Sequence, residues 1–236
     1  NHSTPFINAL ENSGIPYEFL ASTGLYRQPI ILDCLNFFKL IDNHRESTAI
    51  YRLLRLPFFK FTESDLQKIT YSAKKKSISY YETIKRAREF YVSEKGIKTC
   101  EKLIELIHQG MKQAKNTKPH RVLYNFLLDS GYLKYLTTQE EKGDRTTIRQ
   151  IYQLLQLLNL IKKYEENIAD AKVLDFMQQF NYLNESGDAG GLYQPTDTPD
   201  SVNIITIHKA KGLEFKYVFV VNMVQDRFPT RKRGGN

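Results

Sequence analysis

The sequence predicts a mainly α-helical protein with a small α/β portion, and three observations lead to this prediction. Apolar residues recur at helical spacing from about residue 29 to residue 183. A stretch rich in glycine, proline and acidic residues then covers residues 184–200. Beyond it, short runs of β-branched and aromatic residues are typical of strands. We therefore expect a helical body joined to a piece of a sheet domain.

The N-terminal segment predicts a short helix, a turn and a strand. Ser3 or Thr4 can cap the helix, and Pro5 suits its first turn. Gly14 ends the helix, and residues 15–20 are typical of extended chain. The α/β character thus appears before the helical body as well as after it.

The helical body begins near Pro29, where apolar residues start to follow one another at helical spacing. Thr62 offers an N-cap before an acidic first turn. A leucine-rich stretch over residues 148–161 predicts a long helix, and the last apolar stripe ends at Phe180. Such stripes are usually core, so we assign them no chemistry.

The glycine-rich stretch at residues 184–200 is predicted to be a linker. No Gly-Lys-Ser/Thr sequence follows its glycines, so it is not a phosphate loop. Two strands are predicted after it, at residues 202–207 and 217–221. They flank a short, basic turn that contains a glycine.

Composition narrows the classes of partner and the compartment. The formal net charge is +8 and the isoelectric point about 9.3, which favours polyanions, nucleic acid first. Cys34 and Cys100 lie too far apart for a zinc site or a disulfide framework, so we expect buried free thiols. Neither a membrane span nor a signal peptide is recognisable. We therefore expect a cytoplasmic protein without a membrane partner.

Residues 206–215 contain the groups best suited to ligand binding, and they begin where a predicted strand ends. The polar groups and the glycine come from Thr206, His208, Lys209, Lys211, Gly212 and Glu214. Glycine allows close approach of a ligand to the backbone, and a carboxylate accepts hydrogen bonds from sugar hydroxyls. These groups suit a nucleotide or a nucleic-acid strand. A solvated connection between two strands is the alternative that the residues alone leave open.

Residues 202–229 read VNIITIHKAKGLEFKYVFVVNMVQDRFP and closely resemble motif V of the UvrD/Rep/PcrA-like superfamily 1 DNA helicases. The shared pattern is T-x-H-x-x-K-G-L-E-[FW]-x-x-V-[FI] with a downstream Phe-Pro. The opening NHSTPFINALENSGIPYEFL is similar to the segment after motif IV. The following LYRQPIILDCLNFFKLIDN is similar to the start of the helical 2B insertion. The resemblance thus runs from end to end.

The resemblance implies an order of regions along the chain. Residues 1–28 would belong to the second RecA-like domain, a P-loop NTPase fold, after motif IV. Residues 29–183 would form a 2B-like helical subdomain, and residues 184–200 a linker. Residues 201–236 would be a further fragment of the RecA-like domain that carries motif V.

In this family, motif V couples ATP to single-stranded DNA. By resemblance, Glu214 would bind the ribose of ATP and Gly212 would lie close to its phosphates. Thr206 would contact the DNA backbone, and His208 would relay between the two sites. Lys211 also matches the motif and is placed with this coupling group, whereas we interpret Lys209 as a solvated charge.

The sequence also departs from the family pattern. It contains no phosphate loop, no strand-borne Asp-Glu pair and no recognisable motif VI arginine. We therefore expect ATP and Mg²⁺ to be cofactors of a longer parent protein. This chain alone is expected to bind neither of them and not to hydrolyse ATP. No residues show the spacing of a metal site.

A second departure concerns duplex DNA. UvrD-type insertions often carry a Gly-Ile-Gly element that holds the duplex, and the matching region here reads LLRLPFFKFTESDL, without glycine. This sequence is more similar to the RecB/AddA-like branch of the family. Lys74, Lys75 and Lys76 are candidate contacts to DNA phosphates, with a solvated helix face as the alternative interpretation.

The resulting hypothesis is a fragment of an ATP-dependent DNA helicase that moves on single-stranded DNA and separates strands in repair, replication or recombination. Its expected partners are single-stranded DNA, duplex junctions, and repair or replication proteins that contact the helical insertion. One alternative is the motor part of a RecB/AddA-like helicase–nuclease. The other is a non-enzymatic, basic helical interaction module that retains motif V as a relic.

Overall fold

The computed structural model describes residues 3–15, 17–19, 24–187, 189–190, 201–205, 207–221 and 223. The described α-helices are α1 Thr4–Asn12, α2 Pro29–Asp42, α3 Ser47–Leu54, α4 Glu63–Lys76, α5 Tyr80–Lys85, α6 Glu94–Gln113, α7 Pro119–Asp129, α8 Tyr132–Glu141, α9 Arg145–Glu166, α10 Val173–Glu185 and α11 Ile207–Ala210. The strands are β1 Tyr17–Phe19 and β2 Val202–Ile204, and short 3₁₀ turns lie at Leu25–Arg27, Pro57–Phe59 and Ala87–Phe90. The protein is mainly helical, as the sequence predicts.

The chain divides into two compact units: residues 1–22 together with 193–236, and residues 23–192. The second, helical unit interrupts the first along the sequence. Its two ends lie side by side, because Leu25 N donates to Gly190 O at 3.2 Å and Tyr26 N donates to Ala189 O at 3.3 Å. Neighbouring ends of this kind allow one domain to be inserted into a loop of another.

The smaller unit contains a parallel pair of strands. Tyr17 lies opposite Val202 in the register of β1 and β2. Parallel neighbours need a long crossover connection, and here the whole helical unit separates them in sequence. Strand β2 is shorter than predicted, since it ends at Ile204 and α11 begins at Ile207.

The strand predicted at residues 217–221 is wrong. These residues are described without strand pairing, and their side chains are 52% to 86% exposed. β-Branched and aromatic residues favour a strand only where a neighbouring strand and a packed face are available. Neither is present for this segment among the described residues.

Helix α2 is the centre of the helical unit. It packs against α3, α6, α9 and α10, and most of its residues are buried. Ile30, Ile31 and Phe38 have no exposed surface. Each such side chain contributes about 1.5 to 3 kcal/mol through the removal of its apolar surface from water. A helix surrounded on several sides is apolar almost all round, and α2 has that character.

Several helices begin at residues with a capping side chain. Each of these side chains accepts a hydrogen bond from a backbone N–H two or three residues further on. The capping residues are Thr62, Ser79, Ser93 and Asp144. The cap predicted at Thr62 is therefore confirmed.

Both cysteines are free and buried, as predicted. Burial is the main cause that raises the pKa of the Cys34 thiol far above its ordinary value and that of Cys100 to about 12. A thiol that remains protonated is a poor nucleophile and metal ligand. None of the helices in the described part of the chain combines the length and apolarity that a bilayer crossing requires.

The buried carboxylate of Asp65 connects α4 to the start of α6. It accepts hydrogen bonds from Ser93 N at 2.9 Å and from Ser93 Oγ at 2.6 Å, and it lies 3.7 Å from Lys68 Nζ. Burial alone would raise the pKa of Asp65, but the hydrogen bonds from Ser93 keep that pKa below its ordinary value of 3.8. A lowered pKa stabilises the folded protein above pH 3.8, and this stabilisation is lost as the pH falls through the folded pKa.

We expect Asp65→Asn to lower the free energy of unfolding at pH 7 by about 1 to 2 kcal/mol, since a charged acceptor is lost. The difference from the wild type should shrink as the pH falls below 3.8, where the wild-type carboxylate is itself protonated. Urea denaturation across this pH range measures the effect. Asp129→Asn, at an exposed position of α7, is the matched control. A difference that did not change with pH would contradict the prediction.

Candidate nucleotide and nucleic-acid site

The predicted site segment leaves the end of the parallel strand β2. After β2 ends at Ile204, α11 follows, and Leu213 N donates to Ala210 O at 3.0 Å to close the turn behind this short helix. Open α/β sheets place their ligand contacts beyond the carboxyl ends of parallel strands. The segment therefore occupies a position at which this class of fold binds ligands.

Gly212 lies within this turn at a φ of +86°, in the left-handed region. No heavy atom of the described residues lies within 4 Å of the position that a Cβ would take there. The backbone conformation, not a shortage of space, is thus what favours glycine, and an L side chain would add about 1 to 2 kcal/mol of strain. The open space also leaves the backbone accessible to a ligand.

Lys211 and Glu214 place opposite charges on the two sides of Gly212, and both side chains are exposed. Neither takes part in a salt bridge within the described part of the chain. An ammonium group and a carboxylate that are not neutralised by neighbouring groups are available to a ligand. The turn thus presents a cation, an accessible backbone and an acceptor within four consecutive residues.

The other two motif residues are described less completely. Thr206 lies outside the described residues, and His208 belongs to α11 with only its backbone described. The structure therefore places Lys211 and Gly212 in one turn, and Glu214 follows it directly. The contacts expected of Thr206 and His208 stay predictions.

The candidate phosphate contacts Lys74, Lys75 and Lys76 form the last turn of α4, and Ser77 follows the helix at a φ of 52°. All three are exposed. Positive charge at a helix C-terminus stabilises the helix through the macrodipole, by about 0.3 to 1 kcal/mol for each group. These lysines therefore have a structural role whether or not they bind phosphate.

The structure also contains a pair that the sequence does not indicate, between His120 and Glu165. His120 N donates to Glu165 Oε1 at 2.7 Å, and His120 Nδ1 lies 2.5 Å from Glu165 Oε2. The carboxylate of Glu165 is buried and accepts a hydrogen bond from the backbone of the first turn of α7. The pair spans 45 residues of sequence, so no local pattern could indicate it. His120 is engaged in this contact and is a poor candidate for binding phosphate.

Comparison with known proteins gives consistent matches over the chain. The model of the UvrD-like helicase C-terminal domain family matches residues 1–234. The chain is 25% identical over 219 residues to a protein of Staphylococcus aureus named ATP-dependent DNA helicase PcrA. The protein of the same name from Staphylococcus epidermidis gives the same identity over the same length. Each alignment covers 92% of this chain and 29% of the relative, so the chain spans less than a third of the length of these relatives.

Proposed function

Because the chain belongs to the UvrD-like helicase C-terminal domain family, we propose that it is the motif V region and helical insertion of an ATP-dependent DNA helicase. The parent protein would move along single-stranded DNA and separate strands in DNA repair, replication or recombination. The observation that carries the proposal is the motif V sequence, which forms an exposed turn after a parallel strand. The names of the relatives support the same activity.

We assign Gly212 and Glu214 to ATP. The exposed carboxylate of Glu214 suits the ribose, whose two hydroxyls are hydrogen-bond donors. The accessible backbone at Gly212 suits the phosphates, which approach closely only where no side chain intervenes. When bound with Mg²⁺, ATP supplies the phosphoryl group whose transfer to water drives the motor. The phosphate loop and the magnesium ligands would come from other parts of the parent.

We assign Thr206, His208 and Lys211 to single-stranded DNA and to the coupling between DNA and ATP. A hydroxyl and an ammonium group are common donors to phosphate oxygens. The net charge of +8 supports a polyanionic partner, because Lys and Arg attract phosphates at long range. The helical unit would regulate the motor or contact repair and replication proteins.

One observation favours the RecB/AddA-like alternative. Between α3 and α4, where the UvrD-type duplex-binding element carries glycines, this chain has the 3₁₀ turn Pro57–Phe59, followed by Lys60 at a φ of 51°. A bulky turn without glycine brings its backbone less close to a duplex. The motor of a helicase–nuclease is therefore the second candidate for the parent.

The test is Glu214→Ala in the full-length parent protein. We expect kcat/KM for ATP to fall about 10- to 100-fold, because a hydrogen bond to a charged group contributes about 1.5 to 3 kcal/mol. Most of the change should be in KM, since the ribose does not take part in the chemistry. Steady-state ATPase assays with saturating single-stranded DNA measure both constants.

Glu185→Ala, at an exposed position of α10, is the matched control and should leave the ATPase unchanged. An unaltered ATPase in Glu214→Ala would argue against the assignment of this residue to ATP. A full-length protein without ATPase activity would favour the non-enzymatic interaction module, in which motif V is a relic.

A further inference from the structure

An open groove lies beside α4 in the helical unit and has no part in the assignments above. Its volume is about 610 Å³. Its walls include Gln67, Thr70, Tyr71 and Lys74 of α4, together with Ile78 from the connection between the helices and Tyr80, the first residue of α5. The groove is largely open to solvent, so an extended strand can lie along it.

Aromatic rings and cations lie close together in and beside this groove. Tyr71 is 65% exposed, and Lys75 Nζ lies 5.7 Å from the centre of its ring. Tyr51 and Tyr80 are partly buried against the core, so Tyr71 is the exposed ring of this group. An exposed aromatic ring beside cations is a means by which proteins bind an unpaired base and its phosphates together.

The charge at the groove is not neutralised by nearby carboxylates. Lys74 and Lys75 take part in no salt bridge among the residues that the structure describes. The acidic residues of α4 lie in its first turn, and Asp65 is about 14 Å from Lys74 along the helix axis. Glu82 of α5 lies 3.7 Å from Lys85 and is paired with it. The groove therefore presents net positive charge.

We propose that this groove binds single-stranded nucleic acid, with a base stacked on Tyr71 and phosphates next to Lys74 and Lys75. A single strand is favoured over a duplex because stacking requires exposed base faces. An acidic peptide would satisfy the lysines but would not use the aromatic faces. The inference rests on the proposed function for DNA as the partner, but it concerns a surface separate from motif V.

The experiment measures binding of the intact protein to two dye-labelled strands of equal length, oligo(dT) and an abasic strand, by fluorescence anisotropy. We expect Tyr71→Ala to weaken oligo(dT) binding about tenfold and Tyr71→Phe to change it less than about twofold. On the abasic strand, Tyr71→Ala should bind like the wild type. Lys74→Gln should reduce the slope of log K against log salt by about 0.7, the value for one phosphate contact.

Two variants serve as matched controls for the groove. Tyr182→Ala removes a tyrosine of α10 that is 73% exposed, and Lys134→Gln removes an exposed lysine of α8. Both should bind oligo(dT) like the wild type. Far-UV circular dichroism and thermal melting of every variant establish that the fold is retained, since all of these side chains are exposed or line an open groove.

Several results would overturn the inference. Wild-type affinity of Tyr71→Ala for oligo(dT) would do so, and so would an equal loss on the abasic strand, because stacking would then contribute nothing. Displacement of oligo(dT) by polyglutamate at equal charge concentration would instead indicate a site for acidic peptides. If Glu214→Ala impairs the ATPase while Tyr71→Ala binds normally, this inference fails and the proposed function stands. Loss of oligo(dT) binding in Tyr71→Ala together with an ATPase unaffected by Glu214→Ala would support this inference and would argue against the assignment of Glu214 to ATP.

Discussion

Replacement of Gly110 by valine is expected to lower the free energy of unfolding by about 3 kcal/mol. Gly110 is buried in α6 where this helix crosses α2. A Cβ at this position would lie 2.7 Å from Phe37 Cζ and 3.2 Å from Ile41 Cδ1. Both distances are shorter than an ordinary contact between carbon atoms, about 3.5 to 4.0 Å. The two helices can approach this closely only because position 110 has no side chain.

The ring of Phe37 cannot easily move away from an added side chain. It is 1% exposed, and it is stacked on Phe126 with 3.8 Å between the ring centres. Overpacking of a core costs about 1 to 3 kcal/mol, whereas alanine in place of a helical glycine gains about 1 kcal/mol. Gly110→Ala should therefore be mildly destabilising, and valine, which is larger and β-branched, should be the worse of the two.

Urea denaturation followed by far-UV circular dichroism measures these changes. Lys112→Val, at an exposed position of the same helix, is the matched control and should change stability by less than about 1 kcal/mol. Phe37→Leu should relieve part of the penalty of Gly110→Ala, so the double variant should be more stable than the sum of the single changes. A stabilising Gly110→Ala would show that the helix crossing is looser than described.

Asp33→Ala is the second change with a large expected effect, because it should lower the free energy of unfolding by about 3 kcal/mol. Asp33 Oδ1 accepts a hydrogen bond from Arg52 Nε at 2.6 Å, and Asp33 Oδ2 accepts one from the Tyr132 hydroxyl at 2.7 Å. Tyr132 is 4% exposed, so its hydroxyl would lose its acceptor without gaining water. Arg52 is partly exposed and also donates to Pro29 O. The loss of the Asp33 acceptor therefore costs less free energy at Arg52 than at Tyr132.

The double variant Asp33→Ala/Tyr132→Phe provides the rescue control. Removal of the orphaned hydroxyl should recover about 1 to 2 kcal/mol relative to Asp33→Ala alone. Urea denaturation of the wild type, the two single variants and the double variant gives the coupling. Strictly additive effects would contradict a hydrogen bond that contributes to stability.

The contribution of Asp33 to the free energy of unfolding is expected to depend on pH. Burial raises the pKa of Asp33, and the hydrogen bonds from Tyr132 and Arg52 only partly oppose this. The folded protein therefore binds the proton more tightly than the unfolded chain does. Relative to Asp33→Asn, the wild type should lose stability as the pH rises from 3.8 through the raised pKa, and the difference should then level off. Denaturation of both proteins over this range completes the test.

The candidate site could be predicted in part from sequence because its residues are close together along the chain. Lys211, Gly212 and Glu214 lie within four positions, so their proximity follows from the motif itself. The groove could not be predicted in the same way. Lys74 was recognised only as part of a basic run, and its neighbour Tyr80 belongs to the next helix. The relation between the two depends on how α4 and α5 pack, which a basic run does not specify.

The sequence by itself determined the helical class, the cap at Thr62 and the family. Thr62 caps α4, Pro29 begins α2 and Gly14 adopts a positive φ after α1, because these features depend on neighbours a few residues away. Only the tertiary structure decided which distant groups meet. Asp33 contacts Tyr132, which is 99 residues further along the chain, and β1 pairs with β2, although the whole helical unit separates them in sequence. Residues 217–221 have no strand partner among the described residues. Hydrogen bonds between distant residues form only where packing brings their groups together, and local periodicity carries no information about that placement.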